Sequence, residues 1–221
     1  MKVLLQSHYP QRSENLPIII NDILANGIGP EDIVVMLDYP VEDPLRIGLD
    51  NNQTMYSSLS MPINWWHGVG SVLETDYVAL INDDLTILPN TLTTCLEVAK
   101  EHPEIDVFGL EGDKFAKTDS PYTDSRSHTT DTFEKVEYVI RFYFAKPVAF
   151  AKALLLHHKL PKEIQGHDDL VLSLANTCGL IPTTDECGTL DLPTHNVAFS
   201  NRPTHYDERN KLVWKVRNGR I

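Results

Sequence analysis

Apolar runs and amphipathic patterns alternate in the first 40 residues of the chain. Lys2 to His8 is predicted to form a buried strand, because its central positions are consecutive apolar residues. Ser13 can cap a helix that runs to about Ala25, in which apolar residues recur on one face. Asp32 to Leu37 is predicted to form a second strand. A strand, a helix and a strand in this order predict a parallel sheet with right-handed crossovers.

The rest of the chain repeats this alternation less regularly. Further helices are predicted at residues 62–73, 89–101 and 151–158, and further strands at residues 46–49, 76–81, 105–110 and 137–144. Residues 111–132 are almost wholly polar, so we interpret them as a long mobile loop, a candidate lid or acceptor-binding loop. Residues 181–194 are interpreted as irregular. The predicted fold belongs to the α/β class: one domain over residues 1–221, with a mostly parallel central sheet flanked by helices.

The composition indicates an acidic globular protein. A chain of 221 residues can bury one sizeable core, which agrees with a single domain. The net charge of −12 argues against a protein that coats nucleic acid, because a basic field supplies most of that affinity, and it suits a protein that recruits metal ions. Three cysteines without metal-like spacing indicate free thiols in a reducing compartment. We expect a cytoplasmic protein, since neither a signal peptide nor a membrane-spanning run is recognisable.

The strand predicted at residues 76–81 ends in three polar residues, Asn82, Asp83 and Asp84. Ligands of open α/β sheets bind at the carboxyl ends of the strands. Adjacent carboxylates repel each other unless a cation or a proton intervenes, and a hard divalent ion that also bridges to a substrate diphosphate would satisfy both. Mg²⁺ and Mn²⁺ are ions of this kind. The alternative is turn chemistry, in which Asn82 and Asp83 form an Asx-turn and Asp84 is a cap.

A second pair of carboxylates, Asp168 and Asp169, follows Gly166 and His167 at the predicted start of a helix. A helix dipole favours carboxylates at this position even without a catalytic role, so both interpretations stay open. Residues 201–221 carry six basic side chains against two acidic ones, a local charge of +4. This basic tail is a candidate for binding a diphosphate, which we favour, or for guiding an anionic acceptor such as a nucleic acid.

The order of these parts resembles the GT-A fold of nucleotide-sugar glycosyltransferases, most closely the family 2 type, over about the first 180 residues. The loop Tyr9-Pro10-Gln11-Arg12 is similar to the family's first nucleotide-binding loop, and Asp38 is similar to the acid that contacts the nucleobase. Asn82-Asp83-Asp84 is similar to the DxD metal motif, with Asn at its first position. His167-Asp168 resembles the family's Glu-Asp pair, with His in place of Glu.

The resemblance implies a role for individual residues. Asp84 and His205 would bind the metal ion, Mn²⁺ or Mg²⁺, and Asp168, with Asp169 as the second choice, would be the catalytic carboxylate. The residues implied in nucleotide-sugar binding are Ser7, Tyr9, Arg12, Asp38, Trp66, Asn82 and Asp83. Residues 1–110 would form the nucleotide-sugar and metal-binding half, residues 111–200 the acceptor and catalytic half, and residues 201–221 the basic C-terminal tail.

Four of these residues also have plainer interpretations. Arg12 is equally well explained as a solvated loop charge, and Asp38 as a turn former before Pro40. Trp66 has the size of a core aromatic residue, and a lone loop histidine such as His205 is more often a surface residue.

The activity implied by the resemblance is that of a metal-dependent, hexosyltransferase-like glycosyltransferase. Its donor would be a nucleoside-diphosphate sugar, first of all a UDP-sugar, and its acceptor a hydroxyl group on a glycan or another biomolecule. A cation would take charge from the departing diphosphate, and a base would accept the hydroxyl proton if the reaction inverts configuration. Three alternatives stay open: a nucleic-acid-modifying glycosyltransferase, a nucleotidyltransferase, and a sugar-nucleotide or glycan-binding module without catalysis.

Overall fold

The computed structural model describes residues 1–7, 12–37, 54–56, 65–161, 168–194 and 204–219. The strand expected at residues 46–49 lies outside these ranges. In chain order the elements are β1 (Lys2–Ser7), α1 (Leu16–Ala25), β2 (Ile33–Leu37), β3 (Thr54–Tyr56), α2 (Trp65–Val72), β4 (Val78–Asn82), β5 (Leu85–Ile87), α3 (Thr91–Glu101), β6 (Val107–Gly109), β7 (Gly112–Asp113), β8 (Glu134–Val136), β9 (Tyr138–Val139), β10 (Phe142–Ala145), α4 (Pro147–Lys159), α5 (Asp168–Leu174), β11 (Cys178–Leu180), β12 (Thr189–Asp191) and α6 (His205–Arg217). None of the helices in the described ranges is long and apolar enough to cross a membrane.

Eight strands form the central sheet, in the order β3-β2-β1-β4-β10-β6-β11-β8. The first four run parallel to one another, β10 is antiparallel to both of its neighbours, and β8 is antiparallel to β11. Six of the eight strands therefore point the same way, since β11 and β6 are also parallel. The prediction of an α/β fold with a mostly parallel sheet is confirmed.

Helices cover both faces of the sheet, which explains the apolar run in β1. Val3 and Leu5 belong to one buried cluster, together with α1 and α3, and Leu4 belongs to the other, together with α2, α4, α5 and α6. Successive side chains of a strand point to opposite faces, so a strand covered on both faces is apolar at every position. The same rule accounts for β4, in which four consecutive residues are buried.

The carboxyl ends of β1, β2 and β4 meet at one edge of the sheet. Ser7 pairs with Leu37 across β1 and β2, and Gln6 pairs with Asn82 across β1 and β4. Three parallel neighbours that end at the same level form the kind of edge at which α/β proteins bind ligands. This edge holds Ser7 and Asn82, and it is the end of β2 that leads to Asp38.

The elements differ from the predictions in the second half of the chain. The strand expected at residues 137–144 is two strands, β9 and β10, separated at Ile140 and Arg141. The helix expected at residues 151–158 is longer, because Pro147 occupies its first turn, where a missing N–H costs nothing. The stretch expected to be irregular, residues 181–194, contains β12, which pairs with β5 in a small sheet of its own.

Residues 111–132 form contacts within the segment and with the rest of the molecule, and their role as a mobile lid or acceptor-binding loop stays a prediction. Gly112 and His128 exchange two backbone hydrogen bonds of 3.2 and 3.0 Å. The N–H of Tyr122 donates to Oδ1 of Asn210 on α6 over 2.9 Å. Gly112 also has no room for a side chain, because a Cβ there would lie 2.1 Å from the carbonyl oxygen of Tyr138. The segment is therefore held by its own backbone hydrogen bonds and by contacts with β9 and α6.

Candidate functional site

The acid loop, residues 82–84, lies at the carboxyl end of β4. Asn82 is the last residue of that strand, Asp83 and Asp84 form a turn, and β5 begins at Leu85. The two carboxylates differ in exposure, since the side chain of Asp83 is 1% exposed and that of Asp84 is 22% exposed. Asp84 is therefore the carboxylate of this loop that a ligand can reach.

A buried guanidinium group contacts both carboxylates of the acid loop. Nη1 of Arg12 lies 2.8 Å from Oδ1 of Asp83 and 3.3 Å from Oδ2 of Asp84. The Arg12 side chain is only 3% exposed. We expected a divalent ion here because adjacent carboxylates repel each other. Arg12 reduces part of that repulsion, since its guanidinium group is a cation of the chain itself. Arg12 is therefore not a solvated loop charge. Its contact with a donor diphosphate stays a prediction, and the burial of its side chain does not favour that contact.

The strap, residues 187–194, crosses the acid loop and is fixed to it by backbone groups. β12 pairs with β5, and the N–H of Leu192 donates to the carbonyl oxygen of Asp84 over 2.8 Å. Nε of Arg12 donates to the carbonyl oxygen of Thr194 over 3.1 Å. Nδ2 of Asn15 donates to the carbonyl oxygens of Asp83 and Pro193, over 2.7 and 2.9 Å. The side chains just before α1 therefore hold the acid loop and the strap together.

Two buried polar atoms at this edge are unsatisfied. In the part of the chain that the structure describes, Oδ1 of Asp84 and Oγ of Ser7 have no hydrogen-bond partner. Buried polar groups are nearly always hydrogen-bonded, so an exception calls for an explanation such as a bound ion or ligand. Ser7 ends β1 beside the strand that carries the acid loop, and its role in donor binding stays a prediction.

The described residues at this edge provide few ligands for a divalent ion. Among the described residues no three His, Cys, Asp or Glu side chains form a metal-binding group, so Asp83, Asp84 and His205 are not brought together as one ligand set. Among the same residues, Oδ1 of Asp84 is still an oxygen ligand without a partner. Mg²⁺ is commonly held by one or two carboxylates together with substrate phosphates and water. Asp84 fits a metal ion in that mode, with the diphosphate as the second source of ligands.

Arg141 also belongs to this site, and the sequence interpretation missed it. It has a φ of 70°, the left-handed region, and directly precedes Phe142, which pairs with Ile81 next to the acid loop. Its guanidinium group forms an ion pair with Asp191 of the strap. Burial opposes the charged form, but the carboxylates of Asp191, Asp84 and Glu111 outweigh it and raise the pKa of Arg141. A single charge inside the apolar run from Tyr138 to Ala145 was the available signal.

Asp168 and Asp169, the predicted catalytic carboxylates, are the first two residues of α5. Their side chains lie outside the described part of the structure. α5 is followed within a few residues by β11, which starts at the amino edge of the sheet beside Val107. The C-terminal end of α5 therefore lies near the amino edge of the sheet. Asp168 is at the N-terminal end of α5, about 10 Å from the C-terminal end along the helix axis.

The structure describes only some of the remaining predicted residues. Tyr9 and Asp38 lie outside the described residues, and Trp66 is in α2 with a side chain that is not described. His205 is the first residue of α6 and is buried, so it is not the surface residue of the plainer interpretation, and its ring packs edge-on against Tyr206 at 5.1 Å. Asn82 is half-buried at the end of β4. The metal role of His205 and the donor-binding roles of these residues stay predictions.

Comparisons with known proteins identify the fold. No family model matches the chain, and no curated protein sequence matches it. Solved structures of TarS from S. aureus are similar to it: the UDP-GlcNAc complex of TarS 1-349 with a TM-score of 0.59 at 14% identity over 98% of this chain, and the UDP complex with a TM-score of 0.54 at 13% identity over 87%. A longer TarS structure has a TM-score of 0.57 at 12% identity over 99% of this chain.

TarS is a GT-A-like glycosyltransferase, so the GT-A fold expected from the sequence is confirmed. The chain spans 66%, 61% and 43% of the length of these three TarS chains.

Proposed function

We propose that the chain is a glycosyltransferase that moves a sugar from a nucleoside-diphosphate sugar, first of all a UDP-sugar, to a hydroxyl acceptor. The observation that carries this proposal is Asp84, which stands at the carboxyl edge of a GT-A sheet with one carboxylate oxygen that has no partner among the described residues. Structures of TarS with the same fold contain UDP and UDP-GlcNAc, which supports a uridine diphosphate donor.

Metal dependence is part of the proposal. Asp84 would hold Mn²⁺ or Mg²⁺ together with phosphate oxygens of the donor. This mode of binding does not need the other two predicted ligands, since Asp83 is paired with Arg12 and His205 does not form one ligand set with Asp84 among the described residues. When bound, such an ion withdraws charge from the departing diphosphate. Arg12 and Asn15 contribute by fixing the turn that carries Asp84, because they hold its backbone and its neighbour Asp83 from one side.

The acceptor half of the reaction is assigned to Asp168, with Asp169 as the second choice. Asp168 would accept the proton of the acceptor hydroxyl in an inverting reaction, or stabilise the developing positive charge on the sugar in a retaining one. We expect Asp168→Asn to lower turnover by at least about 100-fold with little change in donor affinity. Steady-state kinetics together with donor titration measure both quantities. The same loss in Asp169→Asn with normal turnover in Asp168→Asn would move the assignment by one residue.

A glycan or another neutral hydroxyl compound is the proposed acceptor class, ahead of nucleic acid. Much of the positive charge of α6 is used within the protein. Arg209 is buried with its guanidinium 4.8 Å from the ring centre of Tyr122, and Arg217 donates to both oxygens of Glu137 over 2.6 and 2.8 Å. Few basic side chains of this helix are therefore available for a polyanion, whose binding depends on many phosphate contacts.

Isothermal titration with UDP, UDP-GlcNAc, GDP-mannose and ATP, each with and without Mn²⁺, tests the proposal. We expect binding of the uridine ligands that requires the ion, and loss of that binding in Asp84→Ala. Asp119→Ala is the matched control, since it removes the same charge at an exposed position in the 111–132 segment. Asp84→Ala with unchanged, Mn²⁺-dependent UDP-GlcNAc affinity would contradict the assignment.

The other outcomes separate the alternative functions. Metal-dependent binding of ATP without binding of any nucleotide sugar would favour a nucleotidyltransferase. Donor binding without release of UDP, over a panel of glycan acceptors, would favour a binding module.

A further inference from the structure

Arg141 has a backbone conformation that only a strong local requirement explains. It is the single non-glycine residue with positive φ among the described residues, and its φ of 70° is unfavourable for a side chain with a Cβ. Such outliers occur where the surrounding structure over-determines the backbone, and they concentrate at functional sites. The observed φ therefore indicates that the surrounding structure imposes this conformation on Arg141.

Backbone contacts on both sides hold Arg141 in this conformation. The N–H of Ile140 donates to the carbonyl oxygen of Glu111 over 3.0 Å, and the N–H of Arg141 donates to the hydroxyl of Tyr143 over 3.2 Å. Phe142 then enters β10 opposite Ile81 of β4. Arg141 therefore lies at the edge of the sheet that carries the acid loop, and β4 separates its strand, β10, from β1.

The present partner of Arg141 is easily replaced. Asp191, on the strap, is 77% exposed, and the Arg141 side chain is 38% exposed. Ion pairs between exposed groups are weak because water solvates both charges well when they separate. Exchange of Asp191 for another anion therefore costs little.

The chemistry of the group selects a phosphate. A guanidinium group presents a planar fork of N–H donors that matches two oxygens of a phosphate, and such charge-assisted pairs are among the strongest hydrogen bonds in proteins. Of the two arginines described at the acid loop, Arg12 is buried and committed to Asp83 and Asp84. Arg141 is the one with an accessible guanidinium group.

We propose that Arg141 binds the diphosphate of the donor and that Asp191 occupies its guanidinium group when no donor is present. Asp191 is then an internal competitor of the donor, placed on the strap, and donor binding transfers Arg141 from the strap to the diphosphate. This inference rests on the proposed function, since it takes a nucleoside diphosphate as the ligand. It adds a residue that recognises the diphosphate and a contact that restrains its binding.

The test compares UDP affinity in the presence of Mn²⁺ for the wild type, Arg141→Ala, Arg141→Gly and Asp191→Asn. We expect Arg141→Ala and Arg141→Gly to weaken UDP binding by about 10- to 100-fold, the range for loss of a charged hydrogen bond. Glycine accepts positive φ without strain, so Arg141→Gly separates the side chain from the backbone conformation. Asp191→Asn is expected to tighten UDP binding by about 2- to 5-fold, because it removes the competitor.

The opposite signs distinguish ligand binding from a structural ion pair. If the pair only held the strap in place, Asp191→Asn and Arg141→Ala would weaken UDP binding alike, and that result would overturn the proposal. Unchanged affinity in both Arg141 variants would overturn it as well. Uridine is the control ligand, since it lacks the diphosphate and its affinity should not change in any variant. Wild-type protein that binds neither UDP nor UDP-GlcNAc would instead contradict the proposed function and, with it, this inference.

Discussion

Two arginine–aspartate pairs flank Asp84, and they differ in almost every respect except their chemistry. The pair of Arg12 and Asp83 is buried, joins residues 71 positions apart, and also holds a carbonyl oxygen of the strap. The pair of Arg141 and Asp191 lies on the surface and joins the strap to the other side of the acid loop. The site therefore contains two arginine–aspartate ion pairs, one buried and one exposed to solvent.

The difference teaches which pair belongs to the fold and which is available for function. Two charges removed from water depend on each other, because either one alone would be left desolvated. Each charge of an exposed pair can be solvated by water when the pair separates. We conclude that Arg12 and Asp83 maintain the shape of the site, whereas Arg141 and Asp191 can change partners without disturbing it.

The largest expected effect comes from removing one member of the buried pair. Arg12→Ala should lower the free energy of unfolding by about 3–5 kcal/mol, because Asp83 stays buried without its counter-charge. Arg141→Ala, the matched variant on the other side, should cost less than about 1 kcal/mol. Urea unfolding of both variants measures the difference, and equal losses would break the comparison.

The double variant Arg12→Met/Asp83→Leu sharpens this first prediction. It replaces both charges by apolar side chains, so no desolvated charge remains, and it should be more stable than Arg12→Ala. A double variant that is less stable than the single one would show that the other contacts of Arg12, to Asp84 and to the strap, matter more than its pairing with Asp83.

An intermediate effect is expected for two asparagine side chains that differ in burial, Asn15 beside the buried pair and Asn210 on α6. Asn15→Ala should lower the free energy of unfolding by about 1–3 kcal/mol, because Asn15 is buried and donates to the carbonyl oxygens of Asp83 and Pro193. Asn210→Ala removes contacts to Tyr122 and Thr123 that are more exposed, so water can replace them and the loss should be smaller. Thermal unfolding with calorimetry ranks the two. A larger loss for Asn210→Ala would contradict the view that burial sets the size of the loss.

The smallest effect concerns pH and the exposed pair of His128 and Glu134. The hydrogen bond to Glu134 raises the pKa of His128 in spite of some desolvation, and Glu134 and Asp113 add charge attraction. A raised folded-state pKa means that the charged imidazole contributes stability below its unfolded pKa, near 6.5, and that this contribution is lost as pH rises through the folded-state pKa.

The difference in unfolding free energy between wild type and His128→Gln should therefore shrink as pH rises above about 6.5, and it should stay below about 1 kcal/mol because the pair is exposed. Urea unfolding at pH 5.5 and pH 8 measures it. A difference that grows with pH would contradict the assignment of charge to His128.

The elements that could be predicted from the sequence are those that pack against the core, because their buried positions follow a regular pattern. β1, α1, β2, β4 and α3 lie within a few residues of their predicted bounds, because burial on both faces of a sheet, or on one face of a helix, leaves a periodic apolar pattern. The location of the acid loop followed from the same rule, since a buried strand that ends in Asn82, Asp83 and Asp84 must present them at the sheet edge.

The partners of these residues could not be predicted, since no local pattern encodes them. Arg12 reaches Asp83 across 71 positions, and Asn15 reaches Pro193 across 178. β12 was interpreted as irregular because three residues, of which two are exposed, have no distinctive pattern until β5 is known to lie beside them. Arg141 was missed because a φ value is not visible in a residue type, although its charge interrupts an apolar run.

The attachment of the strap to the acid loop has a consequence for the order of events during synthesis of the chain. The acid loop emerges from the ribosome about 110 residues before Thr194, the strap residue that accepts a hydrogen bond from Arg12. At translation rates of about 5–20 residues per second, Asp83 and Asp84 can contact Arg12 and Asn15 for roughly 5–20 s before the strap has been synthesised. We expect nascent chains stalled with residue 180 outside the ribosome to remain protease-sensitive at the acid loop, and chains stalled with residue 219 outside to be protected there.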